Sequence, residues 1–171
     1  MDVEKLKKIK AIISDIDGVL TDGRTGYNPD PEVKFFHFRD GHWLKMAMRT
    51  GLLVGLVSGR KCEANRVRAR ELGLSFIYED VKDKRTAFAE ILKEYDLTPE
   101  ECLYVGDDII DYPLIKRVGF GVVVADGVDE LDEVADYRTK TPGGHGVMVE
   151  LVRMLLTAQG TLDEVLERYR N

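Results

Sequence analysis

Apolar residues in this chain occur in two alternating kinds of segment. Short runs that are apolar throughout and rich in β-branched residues are typical of buried strands, and they occur at 11–16, 52–58, 74–78, 102–107 and 120–126. The segments between them have helical spacing, which predicts helices over 41–51, 61–73, 84–96 and 109–119, with two more over 147–160 and 161–171. This alternation predicts an α/β fold, a doubly wound Rossmann-like parallel sheet with helices on both faces.

One segment interrupts the alternation. A turn cluster, "NPDPE", separates two extended stretches within about 24–38, and the second stretch is unusually apolar. This pattern predicts a β-hairpin flap that projects just after the first predicted strand. The segments 23–58 and 60–84 are too short to add a separate cap domain, so we expect residues 1–171 to form a single domain.

Polar side chains follow several of the predicted strands at the point where each strand ends. Asp15 and Asp17 end the first strand, "SGR" at 58–60 ends the second, and "GDDIID" at 106–111 ends the fourth. Lys84 begins the helix that follows the third strand. Because ligands of such sheets bind beyond the carboxyl ends of the strands, we expect these groups to meet at one rim.

The acidic residues at this rim have a clear chemical use. An unpaired carboxylate at the end of a buried strand would be costly, so a positive partner is expected. Asp15, Asp17 and Asp107 offer the hard oxygen ligands that Mg²⁺ prefers. A carboxylate beside the metal can also attack phosphorus, and a second carboxylate two residues on can exchange protons with the leaving oxygen and with water.

The remaining polar residues suit a phosphate group. Ser58 and the N–H of Gly59 can hold phosphate oxygens, and Lys84 can neutralise the charge on a phosphoryl group in the transition state. Each residue also has a purely structural interpretation, as a helix cap, an Asp-rich turn or a solvated lysine. The functional interpretation depends on their joint order along the chain.

Composition limits the partners of the protein. A net charge of -6 argues against binding to duplex nucleic acid, which needs a concentrated basic face. No apolar run approaches the length that spans a bilayer, so we expect no membrane partner and a soluble, cytoplasmic protein. Cys62 and Cys102 have no metal-ligand or disulfide spacing, which favours buried free thiols.

The order of these motifs resembles the haloacid dehalogenase superfamily of phosphatases. The resemblance covers "DIDGVLTD" at 15–22, Ser58, Lys84 and "GDDIID" at 106–111. It implies that Asp15 is the nucleophile and Asp17 the general acid and base. It also implies that Mg²⁺ is held by Asp15, Asp107 and the main-chain carbonyl of Asp17, with Asp108 and Asp111 as supporting residues.

A closer resemblance, over nearly the whole chain, is to the 3-deoxy-D-manno-octulosonate 8-phosphate phosphatase family. It is carried by segments such as "FRDGHWLK", "SGRKCEANRVRARELG" and "ADYRTKTPGGHGVMVELV". The resemblance implies a capless enzyme that releases the free octulosonate for lipopolysaccharide biosynthesis. It implies that substrate is bound by these residues: Asp17, Arg39, Asp40, Gly41, His42, Arg60, Arg68 and Lys84.

The assembly is a further expectation. The flap carries Phe35, Phe36 and Phe38, and an exposed apolar ribbon is unfavourable unless a partner covers it. The alternative is that these rings fold back onto their own domain. The family resemblance implies a homotetramer in which hairpins pair around a four-fold centre and Arg68 reaches the site of the neighbouring subunit.

Three other functions are compatible with parts of the pattern. A phospho-accepting receiver domain is also small and doubly wound, but its acidic pair, acceptor Asp and Lys come in a different order. A non-catalytic oligomerisation module of the same fold could lack Asp17 or Lys84, and both are present here. A phosphatase of another sugar phosphate, such as a nonulosonate phosphate, would keep the same chemistry. Relatives that act on a nine-carbon keto acid phosphate tend to have Glu after Ser-Gly, so the family resemblance implies that Arg60 favours the octulosonate.

Overall fold

The computed structural model describes residues 2–27 and 32–170. Its strands are β1 to β6, at Ala11–Ser14, Leu53–Val57, Phe76–Tyr78, Cys102–Gly106, Phe120–Val123 and Tyr137–Arg138. Its helices are α1 to α7, at Val3–Lys7, Phe38–Arg49, Glu63–Leu72, Lys84–Glu94, Tyr112–Ile115, Val147–Gln159 and Leu162–Arg170. The strands form one parallel sheet in the order β3-β2-β1-β4-β5-β6, which confirms the predicted fold class.

The sheet is covered on both faces because its central strands are apolar throughout. One core lies under α2, α6 and the end of α1, and it includes Ile12, Leu103 and Leu151. The other lies under α4 and α5, and it includes Phe88 and Tyr104. Burial on both faces explains why these strands appear in the sequence as continuous rather than alternating apolar runs.

The strand order places β1 and β4 at the centre of the sheet, and the chain reverses direction across the sheet between them. Such a reversal opens a crevice at the carboxyl ends of the strands. Ser14 pairs with Val105 in this register, so the residues that follow both strands leave the sheet side by side. This arrangement positions the candidate site.

Three details of the elements differ from the sequence prediction, and the first is that α1 at Val3–Lys7 was not predicted. β6 was not predicted, because a strand of two residues is too short to give a periodic signal. The prediction of one helix over 109–119 is wrong: a 3₁₀ turn at Ile109–Asp111 is followed by the short α5. Pro113 has no N–H to donate to the carbonyl of Ile109, so a helix cannot continue through this point.

In the segment 24–38, for which a β-hairpin flap was predicted, the described residues form one antiparallel bridge and no strand of their own, and residues 28–31 lie outside the described residues. Gly26 and Val33 form an antiparallel bridge in which each N–H donates to the carbonyl of the other, at 3.3 and 3.0 Å. The second arm is shorter than predicted, because Phe38 already begins α2. The flap therefore lies between the loop that follows β1 and the start of α2.

Both cysteines are buried free thiols, as predicted. Burial raises the pKa of Cys102 to about 12, so this thiol stays protonated at neutral pH. Among the described residues, no helix combines the length and apolar character that a bilayer crossing requires.

Candidate active site

Asp15 leaves the sheet at the end of β1. Its N–H continues the sheet pairing by donating to the carbonyl of Val105 at 3.0 Å. Its Oδ1 accepts a hydrogen bond from the N–H of Ile16 at 2.7 Å, which fixes the carboxylate. The side chain is only 6 % exposed, so the charge depends on partners within the protein.

Lys84 provides the nearest positive charge. Asp83 caps α4 through its side chain, and Lys84 in the first turn extends its Nζ to 2.6 Å from both Asp15 Oδ2 and Asp111 Oδ1. Nζ also donates to the hydroxyl of Tyr104 at 3.1 Å, and that hydroxyl donates to Asp111 Oδ1 at 2.6 Å. These groups form one buried network that joins β1, β4 and α4.

Asp111 organises the loop after β4. Its Oδ2 accepts hydrogen bonds from the N–H groups of Asp107 and Asp108, at 2.9 and 3.3 Å. The approach is so close that a Cβ on Gly106 would lie 2.3 Å from Asp111 Cγ, which excludes any side chain there. Both Asp111 oxygens are thus occupied by protein donors, which agrees with a supporting role. Asp108 caps the 3₁₀ turn and is exposed.

Asp15, Asp107 and Asp111 form an acidic group whose oxygen atoms lie within 4.8 Å of one another. Burial, followed by repulsion from Asp15 and Asp111, raises the pKa of Asp107 from 3.8 to about 8. Burial is also the main reason why the pKa of Asp15 rises to about 6, although Lys84 opposes the rise. Lys84 alone does not neutralise three carboxylates, so ionisation of all three requires further positive charge.

The loop after β2 forms the opposite wall. Ser58 is buried, and its N–H donates to the carbonyl of Tyr78 at 2.9 Å. Its Oγ accepts the N–H of Arg60 at 3.1 Å, which leaves the hydroxyl proton free to donate to a ligand. The guanidinium of Arg60 lies across the loop at the flap, 3.0 Å from Glu32 Oε2.

Seven of the fourteen predicted site residues line one cavity. The residues that line it are Asp15, Asp17, Gly23, Ser58, Gly59, Arg60, Asp107, Asp108 and Ile110. Lys84 lies directly behind Asp15. The structure thus brings together all four of the polar groups that were predicted from the strand ends.

The "RDGH" residues and Arg68 do not line this cavity within the chain. Asp40 is buried and anchors α6, because its Oδ1 accepts the N–H of Met148 at 2.8 Å. His42 packs its ring edge-on against Tyr169. Arg68 donates to the carbonyl of His37 at 3.3 Å and its guanidinium packs beside Gly41. Arg39 is exposed and lines a separate groove beside α6.

Sequence reasoning missed Gly23 and Ile110 in the wall of the cavity, and it missed two side chains that bind acidic residues of the site. Lys34, on the flap, forms an ion pair with both carboxylate oxygens of Asp17, at 2.7 and 2.8 Å. Tyr104 hydrogen-bonds Asp111 and Lys84 from within β4. A lysine between apolar residues in "VKFF" was a usable signal for Lys34, whereas Tyr104 is indistinguishable from an ordinary core aromatic residue.

Comparison with known proteins agrees with this geometry. The sequence profile of haloacid dehalogenase-like hydrolases matches residues 76–151. The 3-deoxy-D-manno-octulosonate 8-phosphate phosphatase of Escherichia coli K12 is 39 % identical over 163 residues, covering 95 % of this chain and 87 % of the relative. The Haemophilus influenzae enzyme of the same name is 37 % identical over 158 residues, covering 92 % of this chain and 88 % of the relative.

Solved structures of the same family also match the fold of this chain. The 3-deoxy-D-manno-octulosonate 8-phosphate phosphatase of Moraxella catarrhalis, in complex with magnesium ion, phosphate ion and KDO, superposes with a TM-score of 0.95 at 33 % identity. The match covers 98 % of this chain and 97 % of that one. Fold, site geometry and similarity over nearly the full length agree, and the chain belongs to the 3-deoxy-D-manno-octulosonate 8-phosphate phosphatase family of haloacid dehalogenase-like hydrolases.

Proposed function

We propose that this protein is a magnesium-dependent phosphomonoester hydrolase that works through an aspartyl-phosphate on Asp15. Its substrate is 3-deoxy-D-manno-octulosonate 8-phosphate, and its products are 3-deoxy-D-manno-octulosonate and phosphate. The observation that carries the proposal is the single cavity at which Asp15, Asp17, Ser58 and Asp107 converge. The family relationship supports the choice of substrate.

The residues fit a magnesium ion. Among the described residues, Asp107 Oδ1 is a buried carboxylate oxygen that accepts no hydrogen bond. Asp111 is occupied by protein donors, so the oxygens available as ligands belong to Asp15 and Asp107, with the carbonyl of Asp17 as the third protein ligand. A bound Mg²⁺ supplies positive charge that offsets the acidic group and the phosphoryl oxygens.

The first chemical step transfers the phosphoryl group to the protein. An Asp15 oxygen attacks phosphorus while the bond from phosphorus to the sugar oxygen breaks, and Asp17 gives that oxygen a proton. Ser58 and the N–H of Gly59 hold phosphoryl oxygens. Lys84 stabilises the negative charge that spreads over the phosphoryl group in the transition state.

The second step regenerates Asp15. Asp17, now ionised, takes a proton from water, and the water oxygen attacks phosphorus of the aspartyl-phosphate. The bond between Asp15 and phosphorus breaks and inorganic phosphate leaves. Because Asp17 acts in opposite directions in the two steps, it must face both the leaving oxygen and the incoming water.

Arg60 is the residue that best suits the sugar acid. Its guanidinium lines the cavity and contacts Glu32 and the hydroxyl of Thr25 on the flap, at 3.0 and 3.4 Å. The Arg60 guanidinium therefore lies where we expect the sugar acid of a bound substrate, beyond its phosphate. A fixed guanidinium at that point recognises a carboxylate through charge-assisted hydrogen bonds.

The proposed working unit is a homotetramer. Phe35 and Phe38 on the flap are 79 % and 82 % exposed, whereas Phe36 packs against the core. Exposed rings on a flap favour a covering partner. Arg39, His42 and Arg68 lie away from the cavity of their own chain, which supports the proposal that they serve the site of a neighbouring subunit, whereas Asp40 and Gly41 are buried within their own chain.

The mechanism predicts different defects for the two aspartates. Asp15→Asn removes the nucleophile and should abolish phosphate release, while the far-UV circular dichroism spectrum stays that of the folded protein. Asp17→Asn should slow turnover of the octulosonate phosphate by about 100-fold or more. With p-nitrophenyl phosphate, whose leaving group needs no proton, Asp17→Asn should give a burst of about one nitrophenolate per site before slow turnover. Near-normal phosphate release by Asp15→Asn would refute the nucleophile assignment.

Removal of Arg60 should distinguish the two substrates. Loss of a charge-assisted hydrogen bond costs about 1.5–3 kcal/mol, so Arg60→Ala should raise KM for the octulosonate phosphate about 10-fold or more. KM for p-nitrophenyl phosphate, which has no carboxylate, should change little. Arg24→Ala, an exposed cation on the same flap, is the matched control. Equal losses on both substrates would assign Arg60 to phosphate binding instead.

Magnesium should stabilise the protein more strongly at higher pH. The folded pKa of Asp107, about 8, lies above its unfolded value near 3.8, so the metal-free fold loses stability as pH rises through about 8. Mg²⁺ binds the ionised carboxylates and removes this loss. The rise in unfolding temperature between EDTA and MgCl₂ should therefore be larger at about pH 8.5 than at about pH 6. Asp107→Asn should lose this difference, and an equal rise in the wild type would contradict the prediction.

The tetramer and the shared site are tested together. Sedimentation velocity should show a tetramer at micromolar concentration, and Phe35→Ser with Phe38→Ser should dissociate it, whereas Val67→Ser on exposed α3 should not. Co-expressed Asp15→Asn and Arg68→Ala chains should regain activity at roughly one site in four, where an intact Asp15 meets a neighbour's intact Arg68. A fully active monomer would refute both proposals.

A further inference from the structure

Lys34 is a buried cation that the proposed chemistry does not use. Its side chain is 0 % exposed, although it belongs to a flap whose neighbouring Val33 and Phe35 are exposed. A buried ammonium group is costly unless it is paired. Lys34 has its partner in Asp17, because its Nζ lies 2.7 and 2.8 Å from the two carboxylate oxygens.

The two aspartates of the first motif are therefore held by different lysines. Lys84 binds Asp15 from α4, at the base of the site, and Lys34 binds Asp17 from the flap, at its mouth. The Asp17 side chain is accordingly absent from the acidic group of Asp15, Asp107 and Asp111. The pairing with Lys34 keeps the Asp17 carboxylate available for proton exchange, whereas the Asp15 carboxylate faces the metal site.

The geometry leaves Asp17 able to act. Both of its oxygens contact Lys34, yet the side chain is 27 % exposed and lines the cavity, so the carboxylate is also open to a bound substrate. One oxygen can stay bound to Lys34 while the other exchanges a proton across the cavity. A carboxylate without this contact could rotate freely, and small displacements of a catalytic group can cost about 100-fold in rate.

We propose that Lys34 is the positioning residue of Asp17. The inference rests on the proposed role of Asp17 as general acid and base. The ion pair fixes the carboxylate toward the leaving oxygen and the attacking water, and it holds the carboxylate apart from the metal ligands. Because Lys34 follows the bridge between Gly26 and Val33, the same pair ties the position of the flap to the orientation of Asp17.

Lys34→Met tests the proposal, since it keeps the apolar stem and removes the charge. We expect kcat for the octulosonate phosphate to fall about 10-fold or more, with KM changed less than about 3-fold. With p-nitrophenyl phosphate, the variant should show a burst of about one nitrophenolate per site followed by slow turnover, because only the water step still needs Asp17. Loss of binding alone would instead raise KM and give no burst.

A double-mutant cycle tests whether Lys34 affects the rate through Asp17. In the Asp17→Asn background, Lys34→Met should lower the post-burst rate with p-nitrophenyl phosphate by less than about 2-fold, because the group it positions is already disabled. If Lys34→Met lowers the rate equally in both backgrounds, the inference is wrong. If Asp17→Asn alone leaves turnover unchanged, the proposed acid–base role fails, which is a separate result.

Two further variants control for other causes. Lys82→Met, at an exposed lysine of the same rim, should leave kcat unchanged. Glu32→Gln breaks the other ion pair of the flap, with Arg60, and should not reproduce the burst. A burst in Glu32→Gln would assign the effect to loosening of the flap and overturn the proposal. If Lys34→Met fails to fold, Lys34→Gln can be used in the same cycle. Its side-chain amide can still donate a hydrogen bond to Asp17, so it should give a smaller fall in kcat.

Discussion

The site depends on one buried interaction, the contact of the Lys84 ammonium group with Asp15 and Asp111. Burial by itself would lower the pKa of Lys84, yet the two carboxylates hold that pKa above its ordinary value, so the lysine stays charged. The contact joins β1, β4 and α4 at one point of the rim. Removing any member would leave an unpaired buried charge, which is far more costly than losing an exposed ion pair.

The network leaves an excess of negative charge at the site. Asp111 is fully occupied by Lys84, Tyr104 and two backbone N–H groups, whereas Asp107 retains a buried oxygen without a hydrogen bond among the described residues. The fold thus holds carboxylates together at a repulsive distance, and a divalent cation relieves that repulsion. The same excess of negative charge explains why an anionic substrate requires metal, lysine and backbone donors together.

The flap adds a second level of organisation. It contacts the catalytic loops at two ion pairs, between Lys34 and Asp17 and between Arg60 and Glu32. Its exposed rings, Phe35 and Phe38, point away from the core of their own chain. One short segment thereby connects Asp17, the loop after β2 and the surface proposed for a neighbouring subunit. In a protein without a cap domain, this segment is the element closest to the mouth of the site.

The sequence by itself determined the sheet and most of the rim. Continuous apolar runs require burial on both faces, which leads to a parallel sheet, and parallel strands bring the residues at their carboxyl ends to one edge. Asp15, Ser58, Lys84 and Asp107 could therefore be assigned to one site without coordinates. Local patterns also give the helix boundaries well, except where Pro113 interrupts the helix predicted after β4.

Only the tertiary structure decided which charges meet. Lys34 and Asp17 lie 17 positions apart on segments of different kinds, and no periodicity specifies that one lysine of the flap turns inward and becomes fully buried. In the same way, Tyr104 contributes a hydroxyl to Lys84 only because the fold brings the first residue of α4 beside β4. Local sequence fixes the direction of strands and helices, whereas the pairing of buried charges depends on packing between distant segments.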